Sequence, residues 1–136
     1  MAGEHAFEPI HFVGSVYVVS GSPTISFGSH VAALITHWCL KLRMPIGLIS
    51  KGDLLRYVGN DGGAGLGIVV GFARLQSPAS NFFLAAIRMC KPILQPVNGL
   101  RHWQHTSTHG LITVDQVRGS VPYADFGASF VPSSHA

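Results

Sequence analysis

Apolar residues come in long runs, separated by short polar stretches rich in glycine and proline. Residues 9–40 contain no Asp, Glu, Lys or Arg, and residues 24–40 read T-I-S-F-G-S-H-V-A-A-L-I-T-H-W-C-L. Lys41 and Arg43 follow, then a further apolar stretch to Ile49. A membrane-spanning helix needs about 20 mostly apolar residues. Residues 24–42 approach that length, and snorkelling of Lys41 and Arg43 extends it, so the pattern predicts a helix over 24–49. A buried helix of a soluble protein is the competing account of the same run.

The rest of the chain divides around this run. Residues 1–23, with Pro9, Gly14, Gly21 and Pro23, predict an extended arm with one short strand near Val16. Residues 51–65 are a polar connection. Gly62, Gly63, Gly65 and Gly67 invite a phosphate-loop reading, but no G-K-[ST] follows, and a flexible glycine turn is the better account. Residues 66–73 are apolar but short. Beyond Arg74 and the breaker Ser77-Pro78, residues 81–112 carry Arg88, Lys91, Pro92, Pro96 and Arg101. A second helix over about 80–110 would have to turn those cations toward partner subunits, headgroups or an anionic cofactor. Prolines are tolerated in such helices. The tail, 113–136, is polar and broken by Gly119, Pro122, Gly127 and Pro132, which predicts a surface extension. The expected fold is therefore an all-α membrane protein. It has two principal transmembrane helices in a membrane-anchor domain (24–112), an extended N-terminal arm (1–23) and a polar C-terminal tail (113–136).

Composition agrees with a membrane or partner-buried setting. Only 11% of the residues are charged, against about 25% in ordinary soluble domains, while 47% are hydrophobic. Mean hydropathy is positive. The surplus of three cations is dispersed, with no run of Lys or Arg, so no nucleic-acid partner is expected. Cys39 and Cys90 are isolated and carry no C-x-x-C spacing; burial or a reducing compartment accounts for them. Residues 1–40 hold Glu4 and Glu8 but no Lys or Arg, which fits neither a secretory signal nor a mitochondrial presequence.

Chemistry concentrates in two places. His102, His105 and His109 stand at offsets 0, 3 and 7, hence on one face if the segment is helical. Such a stripe could ligate a metal, could supply one axial ligand to a b-type haem, or could simply cap and hydrogen-bond near a helix end. No carboxylate or cysteine lies beside it to complete a zinc site. Ser26 and His30, four apart, could hydrogen-bond a carbonyl oxygen such as a quinone headgroup; N-capping by Ser26 is the plain alternative. There is no G-x-S-x-G elbow, and six acidic residues leave little for a carboxylate dyad.

These two constellations together resemble the cytochrome b large membrane-anchor subunit of succinate dehydrogenase, respiratory complex II. That family has an arm of the form R-P-x-S-P-H-x-x-x-Y, a first helix opening S-x-x-H-R, and a second carrying H-x-x-x-G-I-R-H. Here Glu8-Pro9-Ile10 is followed by Tyr17 at the family's distance, and Ser26 and His30 fall on the quinone-site serine and arginine. Asn98-Gly99-Leu100-Arg101-His102 is close to N-G-I-R-H. The arm's arginine is Glu8, its S-P-H is absent, and the third helix is missing. Literal alignment puts Gln95 at the haem-ligand position; a slide of seven residues makes it His102, with His109 seven later.

The resemblance implies a subunit of succinate:ubiquinone oxidoreductase in the mitochondrial inner membrane. Ser26 and His30 would help bind ubiquinone. His102 would ligate the iron of haem b, with the second axial histidine from a small membrane-anchor subunit and with Arg101 and His109 on the propionate side. Flavoprotein and iron–sulfur subunits, and lipid, would be its partners. The alternatives are an accessory subunit of a respiratory complex without cofactor and a small soluble metal binder using the three histidines.

Overall fold

A computed structural model describes residues 10–19, 24–27, 31–76, 81–93 and 99–133, with backbone alone for 24–27, 31–34, 76, 81 and 82. The expected all-α anchor is overturned. The described residues form thirteen strands and one 3-10 turn, and among them no helix is long and apolar enough to cross a membrane. Within the first predicted helix, 24–49, the described residues form β3 to β6, and within the second, 80–110, they form β9 and most of β10.

In chain order the strands are β1 (His11–Phe12), β2 (Val16–Val18), β3 (Thr24–Phe27), β4 (Val31–Cys39), β5 (Lys41–Met44), β6 (Gly47–Ser50) and β7 (Leu54–Val58). They continue as β8 (Ala64–Gln76), β9 (Asn81–Pro92), β10 (Trp103–Thr113), β11 (Val117–Ser120), β12 (Tyr123–Asp125) and β13 (Phe130–Pro132). All pairings are antiparallel. Local chemistry explains several of them. Lys41-Leu42-Arg43-Met44 alternates exposed and buried, the period of a half-buried strand. Asp61 Oδ1 accepts the Gly63 N–H at 2.9 Å, and Gly62 takes φ +84°, so the β7–β8 reversal sits in the glycine stretch that the sequence marked as a turn.

Strands β11, β7, β8, β9 and β10 lie side by side, and the 3-10 turn Val114–Gln116 carries the chain from β10 back to β11 on the far edge. Gln116 fixes that turn: its Oε1 accepts the Thr113 N–H at 3.0 Å, and its Nε2 donates to Val58 O at 2.8 Å. Leu55, Tyr57, Val69, Ala85, Ile87, Ile112, Val114 and Val117 meet inside, joined by Leu42, Met44 and Ile49 from the small β1–β5–β6 sheet. This is the main core. The supposed surface tail is part of it: Val114 and Val117 are buried there, and Val121 and Phe130 are buried in a second cluster with Leu54 and Leu66.

The long ribbon β8–β9 extends beyond this core. A bulge between Val69 and Gly71 bends it, and past the bulge β8 pairs with β4 instead of β7. Trp38 on β4 lies so close to Gly71 that an added Cβ would stand 2.1 Å from its indole; only glycine admits that approach. β4 in turn pairs with β2 and β3 along its other side.

Candidate functional site

The antiparallel register lines up four residues across four strands. Val18 on β2 faces His37 on β4, His37 faces Arg74 on β8, and Arg74 faces Phe83 on β9. Directly opposed residues share a sheet face, so the four form one row. That row, with Ile10, His11, Phe12 and Val16, lines an open groove of about 680 Å³. Phe12 and Phe83 meet edge to face with centroids 5.1 Å apart and close one wall. The groove is thus mostly apolar, with one guanidinium and two imidazoles.

A bulge at Thr36, between Ile35 and His37, sets the polarity of the floor. The Thr36 hydroxyl donates to Arg74 O at 3.3 Å, and His37 Nδ1 lies 2.9 Å from the same hydroxyl oxygen. A hydroxyl has one proton; given to the carbonyl, it leaves oxygen lone pairs for the Nδ1–H. Neutral His37 then carries its free lone pair on Nε2. Arg74 is half-buried and forms no ion pair among the described residues. The described carboxylates are engaged elsewhere. Asp53 accepts the Ser50 N–H, Asp61 the Gly63 N–H and Asp125 the Gly127 N–H, while Asp115 lies in the 3-10 turn.

The histidine stripe does not survive as a stripe. His105 and His109 lie on β10, where side chains alternate with period 2, so the odd offsets of 3 and 7 from His102 no longer mean one face. A bulge between His105 and His109 separates those two as well. His102 is buried: its Nδ1 lies 2.8 Å from Ser129 Oγ, and its ring stacks at a tilt on Phe126. His105 packs on Phe130, with Nδ1 3.8 Å from Cys90 Sγ. His109 and Arg101 are exposed. No group of three or more metal-ligating side chains occurs among the described residues. Ser26 lies on β3, its backbone opposite Ala32, so its helical partnership with position 30 is lost; His30 and Gln95 lie outside the described residues. The Ser129–His102 pair uses Nδ1 and no acid is bonded to it, which makes it a satisfied buried polar pair.

Cys90 is the other nucleophile in view. Burial pushes its thiol up, offset in part by a backbone hydrogen bond from Ile68 and by Arg88. Burial also raises the Tyr57 phenol, with Cys90 and Asp61 adding to the shift. Both effects disfavour the charged form, the opposite of an activated thiolate. Residues His37, Arg74 and Phe83 carry no local sequence signal; strand register alone assembles them. The chain matches no protein-family model, no curated protein and no solved structure.

Proposed function

We propose that this chain is a recognition module that binds an acidic, otherwise apolar peptide segment in the groove between β1–β2 and β8–β9. The observation that carries the reading is Arg74: a half-buried cation on an apolar floor, beside an imidazole and with no carboxylate partner among the described residues. A desolvated guanidinium gains most from a carboxylate that arrives with its own apolar cover. The phenylalanine pair and the valines give that cover an apolar surface to pack on. Binding of haem b and ubiquinone, and docking to flavoprotein, iron–sulfur and small-anchor subunits, drew their support from two helices. With strands in those places, and with His102 turned onto Ser129, the groove is the better-supported site.

The test is fluorescence anisotropy with a fluorescein-labelled nonapeptide of alternating valine and glutamate, against the same peptide with lysine for glutamate. Saturable binding of the glutamate peptide alone is expected. Arg74→Ala should weaken it about tenfold, which corresponds to about 1.4 kcal/mol. Equal binding of both peptides, or an unchanged affinity in Arg74→Ala, would overturn the reading.

A further inference from the structure

Strand β2 forms the rim of the groove, and its backbone is half used. The Val19 N–H donates to Thr36 O at 3.0 Å, and the register from there runs Val18 opposite His37, Tyr17 opposite Trp38 and Val16 opposite Cys39. Hydrogen-bonded and non-hydrogen-bonded pairs alternate in an antiparallel ladder. Tyr17 is therefore the residue that exchanges bonds with β4. Val16 and Val18 direct their N–H and C=O groups the other way, where no strand pairs with them among the described residues. Val16, Tyr17 and Val18 are 44%, 55% and 76% exposed, so this edge is bare. Edge strands are ordinarily guarded by charge, proline or a cover. This one lies within the 32-residue stretch, 9–40, that contains no charged side chain.

We infer that the peptide adds to β2 as a further antiparallel strand, so that the sheet itself is the recognition surface. The inference rests on the proposed groove function and specifies how the segment lies. The partner residues opposite Val18 and Val16 exchange backbone bonds with them, and their side chains fall on the groove face with those of the valines. The intervening residues fall on the opposite face, beside Tyr17 and Trp38. A glutamate opposite Val18 enters the row that continues through His37 to Arg74. Strands are spaced by about 4.8 Å, so that glutamate starts three spacings from Arg74. At that range the carboxylate and the guanidinium attract each other across the groove face without touching, and the longer stem of glutamate brings its charge nearer than that of aspartate would. The glutamate stem covers Val16 and Val18 on the way.

The experiment uses the full chain and the alternating valine–glutamate nonapeptide in three forms: unmodified, N-methylated at the glutamates, and N-methylated at the valines. N-methylation of the glutamates should weaken binding at least tenfold, because those amides face β2. The valine-methylated peptide should bind within about twofold of the parent, since its blocked amides face away. Val18→Pro, which removes one outward N–H and spares every β2–β4 bond, should reproduce the glutamate-methylation loss. If both methylated peptides bind like the parent while Arg74→Ala still weakens binding, strand addition is overturned and the groove function stands. If the parent itself fails to bind, the groove function falls, and this inference with it. A chain that is dimeric by light scattering and becomes monomeric in Val18→Pro would also overturn the inference, because a second copy would then hold the edge.

Discussion

The two ends of the β8–β9 ribbon are built from similar material and left in opposite states. At one end the C-terminal hairpin β12–β13 pairs with β10, Trp103 opposite Phe130, and Phe130 is fully buried with Leu54 and Leu66 while His102 is bonded to Ser129. At the other end β2 leaves its outer edge unpaired, and His37 and Arg74 line an open groove. Each end has an imidazole, aromatic rings and a cation nearby. The difference lies in what completes them. A hydroxyl serves the imidazole at both, Ser129 for His102 and Thr36 for His37, but the chain adds a covering hairpin at the first and none at the second. Polar groups that a protein satisfies internally stabilise the fold, whereas those it leaves open to a groove are available to something else.

The contrast can be broken at the closed end first. Phe130→Ala removes a ring at 0% exposure that touches Tyr123 and His105, and should cost about 3–5 kcal/mol in urea unfolding. Arg74→Ala, at the open end, should stay within about 0.5 kcal/mol. Comparable losses at the two ends would erase the distinction. A smaller effect is expected from Ser129→Ala. It strips His102 of its partner in a buried position and should cost about 1–3 kcal/mol; a neutral result would mean that water serves as well as the hydroxyl. The smallest effect is kinetic. Cys90 packs against the cluster that holds Phe130, and burial holds its thiol above the ordinary cysteine range, so at neutral pH less of it is thiolate. Alkylation by iodoacetamide should be slower than for a free cysteine and should accelerate as pH rises toward the raised value. Phe130→Ala should speed it at fixed pH by opening the cover. An unaltered rate would show that the hairpin does not shield the thiol.

Parts of this arrangement were legible in the sequence. The turn at Gly62 and Gly63 was; the charge-free run 9–40 also stands out, but as a spanning helix, whereas in the structure its residues 16–18 are an exposed sheet edge. A short strand near Val16 was also expected. The helices were not sound, because a continuous apolar run has no period to separate a buried helix from buried strands. Two local signals favoured strands: the strict alternation Lys41-Leu42-Arg43-Met44, and Asp61-Gly62 between apolar segments. The histidine offsets of 3 and 7 have meaning only if the backbone is helical. The row itself was beyond reach, since Val18, His37, Arg74 and Phe83 are joined by ladder register, bulges included, and by nothing local.

Trp38, pressed on Gly71 and paired across the ladder with Tyr17, has a practical consequence. Of the two tryptophans in the chain, it stands one strand from the open edge, while Trp103 pairs across the ladder with Phe130 of the C-terminal hairpin. The molecule therefore carries a separate optical reporter at each end. An occupant on β2 would change the emission of the indole at position 38, and loosening of the hairpin that of the indole at 103. With Trp103→Phe and Trp38→Phe variants, either event can be followed by light alone, without a label attached to either partner.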